Sequence, residues 1–202
     1  MKKKLRVVFI VLCGLICLNS LVGCNLFDSG EKEMIAYMDT IEPECKDYSC
    51  VDEKPAGYEC LSVKDGNIVV QDKNVSVEKL EHVTGYNIKI EETEIVLDVD
   101  YFVANSETFN KIVKLWDDYT TGSKNDVVGS FKVDVNQIEI DSLRLFDDQL
   151  FVYVCDQPGA SIINWRGCVP LCAFRFDVAD YSLEYVGYSK EYHRRPFLVK
   201  NT

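Results

Sequence analysis

Short stretches in which apolar and polar residues alternate recur along this chain. Residues 86–90 alternate without a break, and residues 95–101 do so in part. Period-two alternation is typical of strands with one buried face. The pair Asp65-Gly66 separates two apolar stretches and predicts a tight hairpin between residues 60–63 and 68–70. Further strands are predicted at 127–135, 137–140, 143–146, 150–155, 172–178 and 183–188, and residues 76–82 fit either a short helix or an edge strand.

A helical pattern stands out between residues 106 and 119. Its apolar residues Phe109, Ile112, Val113, Trp116 and Tyr119 recur at steps of three and four, which places them on one face of a helix. Many short strands and one such helix predict an α+β fold, with an antiparallel sheet built as a meander or from hairpins and one packing helix near 106–119. A shorter helix with the same spacing is predicted within residues 31–41.

The amino terminus has the three parts of a signal peptide. Lys2, Lys3, Lys4 and Arg6 precede an apolar run at residues 7–18. A helix of this length measures about 18 Å, whereas a membrane-spanning helix needs about 20 apolar residues. The run is therefore too short to span a bilayer and predicts a segment that is cleaved during export.

The end of this leader, Leu21-Val22-Gly23-Cys24, resembles the lipobox of bacterial lipoprotein precursors. The resemblance covers the leader alone. It implies that the Cys24 thiol receives diacylglycerol, that the chain is cleaved between Gly23 and Cys24, and that the new amino terminus is usually acylated. Two or three acyl chains anchor a protein stably where one is marginal. Asn25, and not Asp, follows Cys24, which in a Gram-negative cell resembles the default pattern of sorting to the outer membrane, whereas a Gram-positive cell has no such choice.

These observations divide the precursor into three parts. Residues 1–23 are the predicted lipoprotein signal peptide, 24–44 the lipidated cysteine and its tether, and 45–202 a single α+β domain outside the cytoplasm. The net charge is −11, and loss of a leader with four cations and no acid would leave −15. Such a surface repels phosphate backbones and acidic headgroups, so nucleic acid is not expected as a partner and the lipid bilayer is contacted through the Cys24 anchor.

Six cysteines remain in the mature chain beyond Cys24. An even number outside the cytoplasm predicts up to three disulfides, whose pairing the sequence leaves open. They form two groups of three, so at least one bridge would join the groups if all six pair. The six are Cys45, Cys50, Cys60, Cys155, Cys168 and Cys172.

Free buried thiols and a zinc site are the alternatives to disulfides. The spacing Cys168-x3-Cys172, together with Cys155, could hold zinc, but the chain has only two histidines, and the disulfide interpretation is favoured. No Cys-x-x-Cys pair is present, so a thioredoxin-like redox motif is missing. Neither a metal nor a cofactor is expected.

The sequence carries no recognisable catalytic motif. It lacks a nucleophile elbow, a phosphate loop and the zinc-protease motif His-Glu-x-x-His. Its many acidic pairs could act as acid and base in glycoside hydrolysis, although 33 acidic residues make adjacent pairs common. The basic cluster His193-Arg194-Arg195 could bind an anion or form a solvated tail.

One loop, residues 157–167, combines apolar residues with Trp165 and Arg166. Trp and Arg are favoured at the energetic centres of protein interfaces, so this is a candidate interaction loop, unless its apolar residues pack on the sheet. The sequence thus predicts a membrane-anchored, non-catalytic module that binds an envelope protein or glycan. A carboxylate-dependent hydrolase of envelope polymers and a purely structural envelope protein are the alternatives.

Overall fold

A computed structural model describes residues 35–81, 84–122, 138–156, 170–191 and 194–202. A helical turn at 35–38 opens the described part. The helices are α1 (Val99–Asn105) and α2 (Glu107–Gly122). The strands are β1 (Tyr48–Val51), β2 (Leu61–Val63), β3 (Gly66–Val70), β4 (Lys73–Lys79), β5 (Tyr86–Ile90), β6 (Thr93–Leu97), β7 (Ile138–Phe146), β8 (Gln149–Asp156), β9 (Cys172–Phe176), β10 (Leu183–Tyr188) and β11 (Phe197–Lys200).

The strands form three antiparallel sheets. A central sheet has the order β10-β9-β8-β7-β2, a second has the order β3-β4-β5-β6, and β1 pairs with β11 in a two-stranded terminal ribbon. Every described pairing is antiparallel. The predicted fold, mainly antiparallel sheet, is confirmed at this level.

The central sheet is buried on both faces. All five residues from Leu150 to Val154 are buried, because even-numbered ones face one core and odd-numbered ones face another. A strand covered on both sides is expected to be continuously apolar rather than alternating. The first core lies between this sheet, the four-stranded sheet and the helices, and the second lies under the terminal ribbon.

The second core is small and rich in aromatic and sulfur-bearing side chains. Tyr48 contacts Phe151 edge-to-face, and Tyr58 stacks on Phe146. Its buried members are Cys45, Tyr48, Phe151, Tyr153, Leu171, Ala173, Val186 and Leu198, with Cys50, Tyr58, Phe146 and Cys155 packed against them. The two ends of the domain thus share one apolar cluster with the central sheet.

The helices close the first core at its other side. Asp98 caps α1 by accepting a hydrogen bond from the Tyr101 N–H, and Ser106 accepts one from the Phe109 N–H at the start of α2. Phe102 and Phe109 pack edge-to-face on each other, and Phe102 does so on Phe174 of β9. The helix predicted near 106–119 is present, and α1, which was not predicted, packs beside it.

Three predicted elements differ from the structure. Residues 60–63 and 68–70 do not pair as a hairpin, because β2 joins β7 in the central sheet and β3 joins β4. Residues 76–79 belong to β4, an inner strand, and not to a helix or an edge, and His82 lies outside the described residues. The stretches 137–140 and 143–146 form one strand, β7, with an irregularity between Ile140 and Ser142. The strand predicted at 127–135 lies outside the described residues.

Candidate functional site

A groove of about 480 Å³ lies between the polar face of α2 and the segment that follows the first helical turn. It combines two apolar side chains, Ile41 and Leu115, with hydroxyl and charged groups. The remaining lining residues are Thr40, Glu42, Thr108, Lys111 and Lys114. A mixed lining of this kind offers apolar contact and hydrogen bonds to the same ligand.

The Glu44 carboxylate holds the walls of this groove together. One of its oxygens accepts a hydrogen bond from the Thr108 hydroxyl of α2. The other accepts one of 2.9 Å from the Tyr185 N–H of β10. The segment, the helix and the central sheet are therefore fixed relative to one another, so the groove is preformed.

Charged groups of both signs line the groove, with Lys111 and Lys114 on α2 and Glu42 on the facing segment. Lys111 lies 2.8 Å from Glu107 one helical turn away, and this ion pair raises the pKa of Lys111. Both partners are exposed, so the pair adds little to stability. Lys114 is also exposed. Lys114 can contact a carboxylate or phosphate group of a ligand, whereas such a group would reach Lys111 only in competition with Glu107, and Ile41 and Leu115 offer apolar contact.

The fold brings cysteines from both sequence groups near the second core. Cys45 is buried there, Cys50 and Cys155 pack against it, and Cys60 is half-buried. Cys172 faces the first core, where its thiol contacts the Pro170 carbonyl at 3.7 Å. Cys45, Cys50, Cys60 and Cys172 are thiols in this structure, and no disulfide joins them. The predicted disulfides thus stay a prediction, and Cys168 lies outside the described residues.

Burial governs the acidity of these thiols. It raises the pKa of Cys45, Cys50 and Cys172 above the ordinary value of 9.0. For Cys172, negative charge on Cys50 or Cys155 raises the pKa further. A protonated, buried thiol is a poor nucleophile and metal ligand, so these groups are inert while the domain is folded.

The acidic pairs considered for hydrolysis serve turns and helix ends. Glu91-Glu92 forms the turn between β5 and β6, and Asp98 caps α1. Among the described carboxyl groups, a raised pKa is resolved for Glu139 alone, through burial and then the charge of Asp141. The groove contains one carboxylate, Glu42, and so lacks the pair that hydrolysis requires.

The basic cluster near the end of the chain is used in ion pairs. Arg195 forms a two-pronged contact with Asp141, with Nη2 at 2.9 Å from Oδ1. Arg194 pairs with Glu191 and lies over the Phe197 ring. These contacts fix the segment that leads into β11 to β7 and to the residues after β10. An anion could therefore bind these arginines only by displacing their present partners. His193 and His82 lie outside the described residues.

The other predicted sites also lie outside the described part of the chain: the lipidation and cleavage residues Gly23 and Cys24, and the candidate interaction residues Trp165 and Arg166. In the ranges that are described, no group of three or more His, Cys, Asp or Glu residues is placed to hold a metal. No helix there is long and apolar enough to cross a membrane. No protein family, curated protein or solved structure was found to match the chain.

Proposed function

We propose that this chain is an exported bacterial lipoprotein, anchored through Cys24, whose domain is a non-catalytic binding module of the cell envelope. The observation that carries the proposal is the leader that ends in Leu21-Val22-Gly23-Cys24. Only ten residues separate Cys24 from Ile35, where the described part begins. Since a chain spans at most about 3.6 Å per residue, the domain would lie within about 40 Å of the bilayer.

The groove beside α2 is the proposed binding site. One wall, at residues 40–42, lies within the segment predicted as the tether, and the other carries Lys111 and Lys114. The Glu44 contacts join the first wall to α2 and to the central sheet. Its ligand would be an extended envelope component, a protein segment or a glycan, that offers acidic and apolar groups together. We also propose the finer description of the fold as α+β, with α1 and α2 packing as one unit.

Sedimentation with isolated envelope tests the binding role. The mature domain, purified without lipid, is mixed with envelope from its own cells, and the bound fraction is measured. The variant Lys111→Glu/Lys114→Glu should lower the apparent affinity about tenfold or more, the loss expected for reversing charges that contact the ligand. The control Lys64→Glu/Lys89→Glu makes the same charge change at two exposed lysines on other elements. If both variants lose affinity equally, or if neither loses any, the groove is not the binding site.

Anchoring is tested separately by labelling cells with a radioactive fatty acid. The chain should become labelled, whereas Cys24→Ala should carry no label, because the thiol that receives diacylglycerol is gone. A Cys24→Ala protein labelled as strongly as the unchanged chain would contradict the anchor.

A further inference from the structure

Cys45 and Cys50 lie against the same strand, two residues apart along it. The Cys45 N–H donates a 3.0 Å hydrogen bond to the Tyr185 carbonyl of β10. The Cys50 sulfur lies 3.3 Å from the point where a Cβ on Gly187 would stand. Both cysteines therefore contact the same short stretch of β10, where the pairing with β9 is irregular between Tyr185 and Gly187.

The two side chains also point into the same space. Both pack in the second core. Tyr48 and Cys50 share one face of β1, because side chains alternate along a strand. The backbone N–H of Tyr48 faces the Cys45 sulfur, and charge on Cys45 is one cause of the raised pKa of Cys50. Gly187 has no side chain to separate the two sulfurs.

The other described cysteines are placed differently toward Cys50. Cys172 belongs to the first core, although it is close enough that charge on Cys50 adds to the effect of burial in raising its pKa. Cys155 packs against the second core from β8, and Cys60 lies beside the Tyr58 hydroxyl, near the strand pair formed by β2 and β7. Cys45 shares with Cys50 both the second core and the contact with β10, so we select the pair within the amino-terminal group.

We propose that Cys45 and Cys50 form a disulfide with each other while the exported chain folds in the presence of a thiol oxidant, before burial makes the two thiols inert. In this exchange one thiolate attacks a sulfur of an oxidised dithiol and forms a mixed disulfide, which the second thiolate then resolves. The pair loses two protons and two electrons, and the oxidant is released as two thiols. The bridge fastens residues 44–51 along the β10 edge.

This inference goes beyond the proposed function and depends on it only for the oxidising compartment. Two arms separate the questions. In the first, the mature chain is refolded in a mixture of reduced and oxidised glutathione. In the second, the protein is recovered from the envelope of its own cells. Free thiols are alkylated in denaturant, because Cys45 and Cys172 are buried in the folded domain and escape reagents there.

Cleavage after Lys and Glu, without reduction, then isolates each thiol of the pair. Cuts after Glu44, Lys46, Glu53 and Glu59 place Cys45, Cys50 and Cys60 on different fragments. The expected product is fragment 45–46 joined to fragment 47–53, converted to its two parts by reductant. The variant Cys50→Ser should leave Cys45 alkylated, whereas Cys60→Ser should leave the joined fragments unchanged.

Refolded protein in which Cys45 and Cys50 are both alkylated, or are joined to other cysteines, would overturn the proposed pair. A different result is also informative: the two fragments are joined after refolding, but both thiols are free in protein from the envelope. That result would contradict the claim that the exported chain meets a thiol oxidant and forms this disulfide in the cell.

Discussion

The hydroxyl of Tyr48 donates a 2.8 Å hydrogen bond to Oδ2 of Asp147, 99 residues away in the sequence. Lys200 contacts the same oxygen, also at 2.8 Å. Asp147 belongs to the turn between β7 and β8, whereas Tyr48 and Lys200 oppose each other in the terminal ribbon. One carboxylate therefore joins both ends of the domain to the central sheet.

The Asp147 contacts should make stability depend on pH in acid. Hydrogen bonds from Lys200 and Tyr48 lower the pKa of Asp147 below its ordinary value of 3.8. A carboxyl group with a lowered pKa contributes stability above its unfolded pKa, and this contribution is lost as pH falls through the folded value. Asp147→Asn should thus lower the free energy of unfolding slightly at pH 7, by well under about 1 kcal/mol because the site is exposed, and urea unfolding measures the change.

The difference from the unchanged protein should shrink as pH falls from the unfolded pKa of 3.8 through the lowered folded value, and should vanish where Asp147 is protonated in both states. Asp148→Asn is the matched control, since Asp148 lies in the same turn with a similar φ of 59°. A loss that persists undiminished at low pH would show that the carboxylate charge is not its cause.

Two buried tyrosines should respond oppositely to loss of their hydroxyl groups. Tyr153 donates a 3.0 Å hydrogen bond to the Pro196 carbonyl, so Tyr153→Phe should cost about 1 kcal/mol. Within the described residues the buried Tyr185 hydroxyl has no partner, so Tyr185→Phe should be neutral or stabilise the domain by up to about 1 kcal/mol. Chemical unfolding measures the free energy of unfolding of both variants. If Tyr185→Phe loses more stability than Tyr153→Phe, the Tyr185 hydroxyl must form a hydrogen bond in the folded protein.

Gly187 should be intolerant of any side chain. Its φ is +151°, and an added Cβ would stand 3.1 Å from the Cβ of Cys50. We expect Gly187→Ala to destabilise the domain by about 1–3 kcal/mol through strain and overpacking. Gly66→Ala is the control for backbone strain, since Gly66 also has a positive φ of +120° but nothing lies within 4 Å of its added Cβ. Equal losses in thermal unfolding would exclude the contact with Cys50 as the cause.

The sequence predicts local elements well and their pairing less well. Strands β5 and β10 match their predicted ranges because alternation or apolar runs are local signals. The predicted hairpin at 60–70 is wrong because β2 pairs with β7, about 80 residues later, and no local pattern encodes that choice. The terminal ribbon was missed because Tyr48–Val51 lies in a polar stretch and finds its partner at Phe197–Lys200.

The groove was also beyond the reach of sequence patterns. Its residues come from the segment at 40–42 and from α2. In the sequence, the one pattern that links any of them is the helical spacing of Lys111, Lys114 and Leu115. Their meeting depends on the long-range contacts of Glu44 with Thr108 and Tyr185. The segment that resembles the lipobox, Leu21-Val22-Gly23-Cys24, is by contrast continuous, so a local pattern is enough to propose it.

The central claim is that Cys24 becomes the lipid-bearing first residue of the mature protein. Its most direct test is mass spectrometry of the amino-terminal peptide from protein extracted out of membranes with detergent. We expect a chain that begins at Cys24 and carries diacylglycerol through a thioether, with or without an amide-linked acyl group. A chain recovered with residues 1–23 still attached and an unmodified Cys24 thiol would contradict the account.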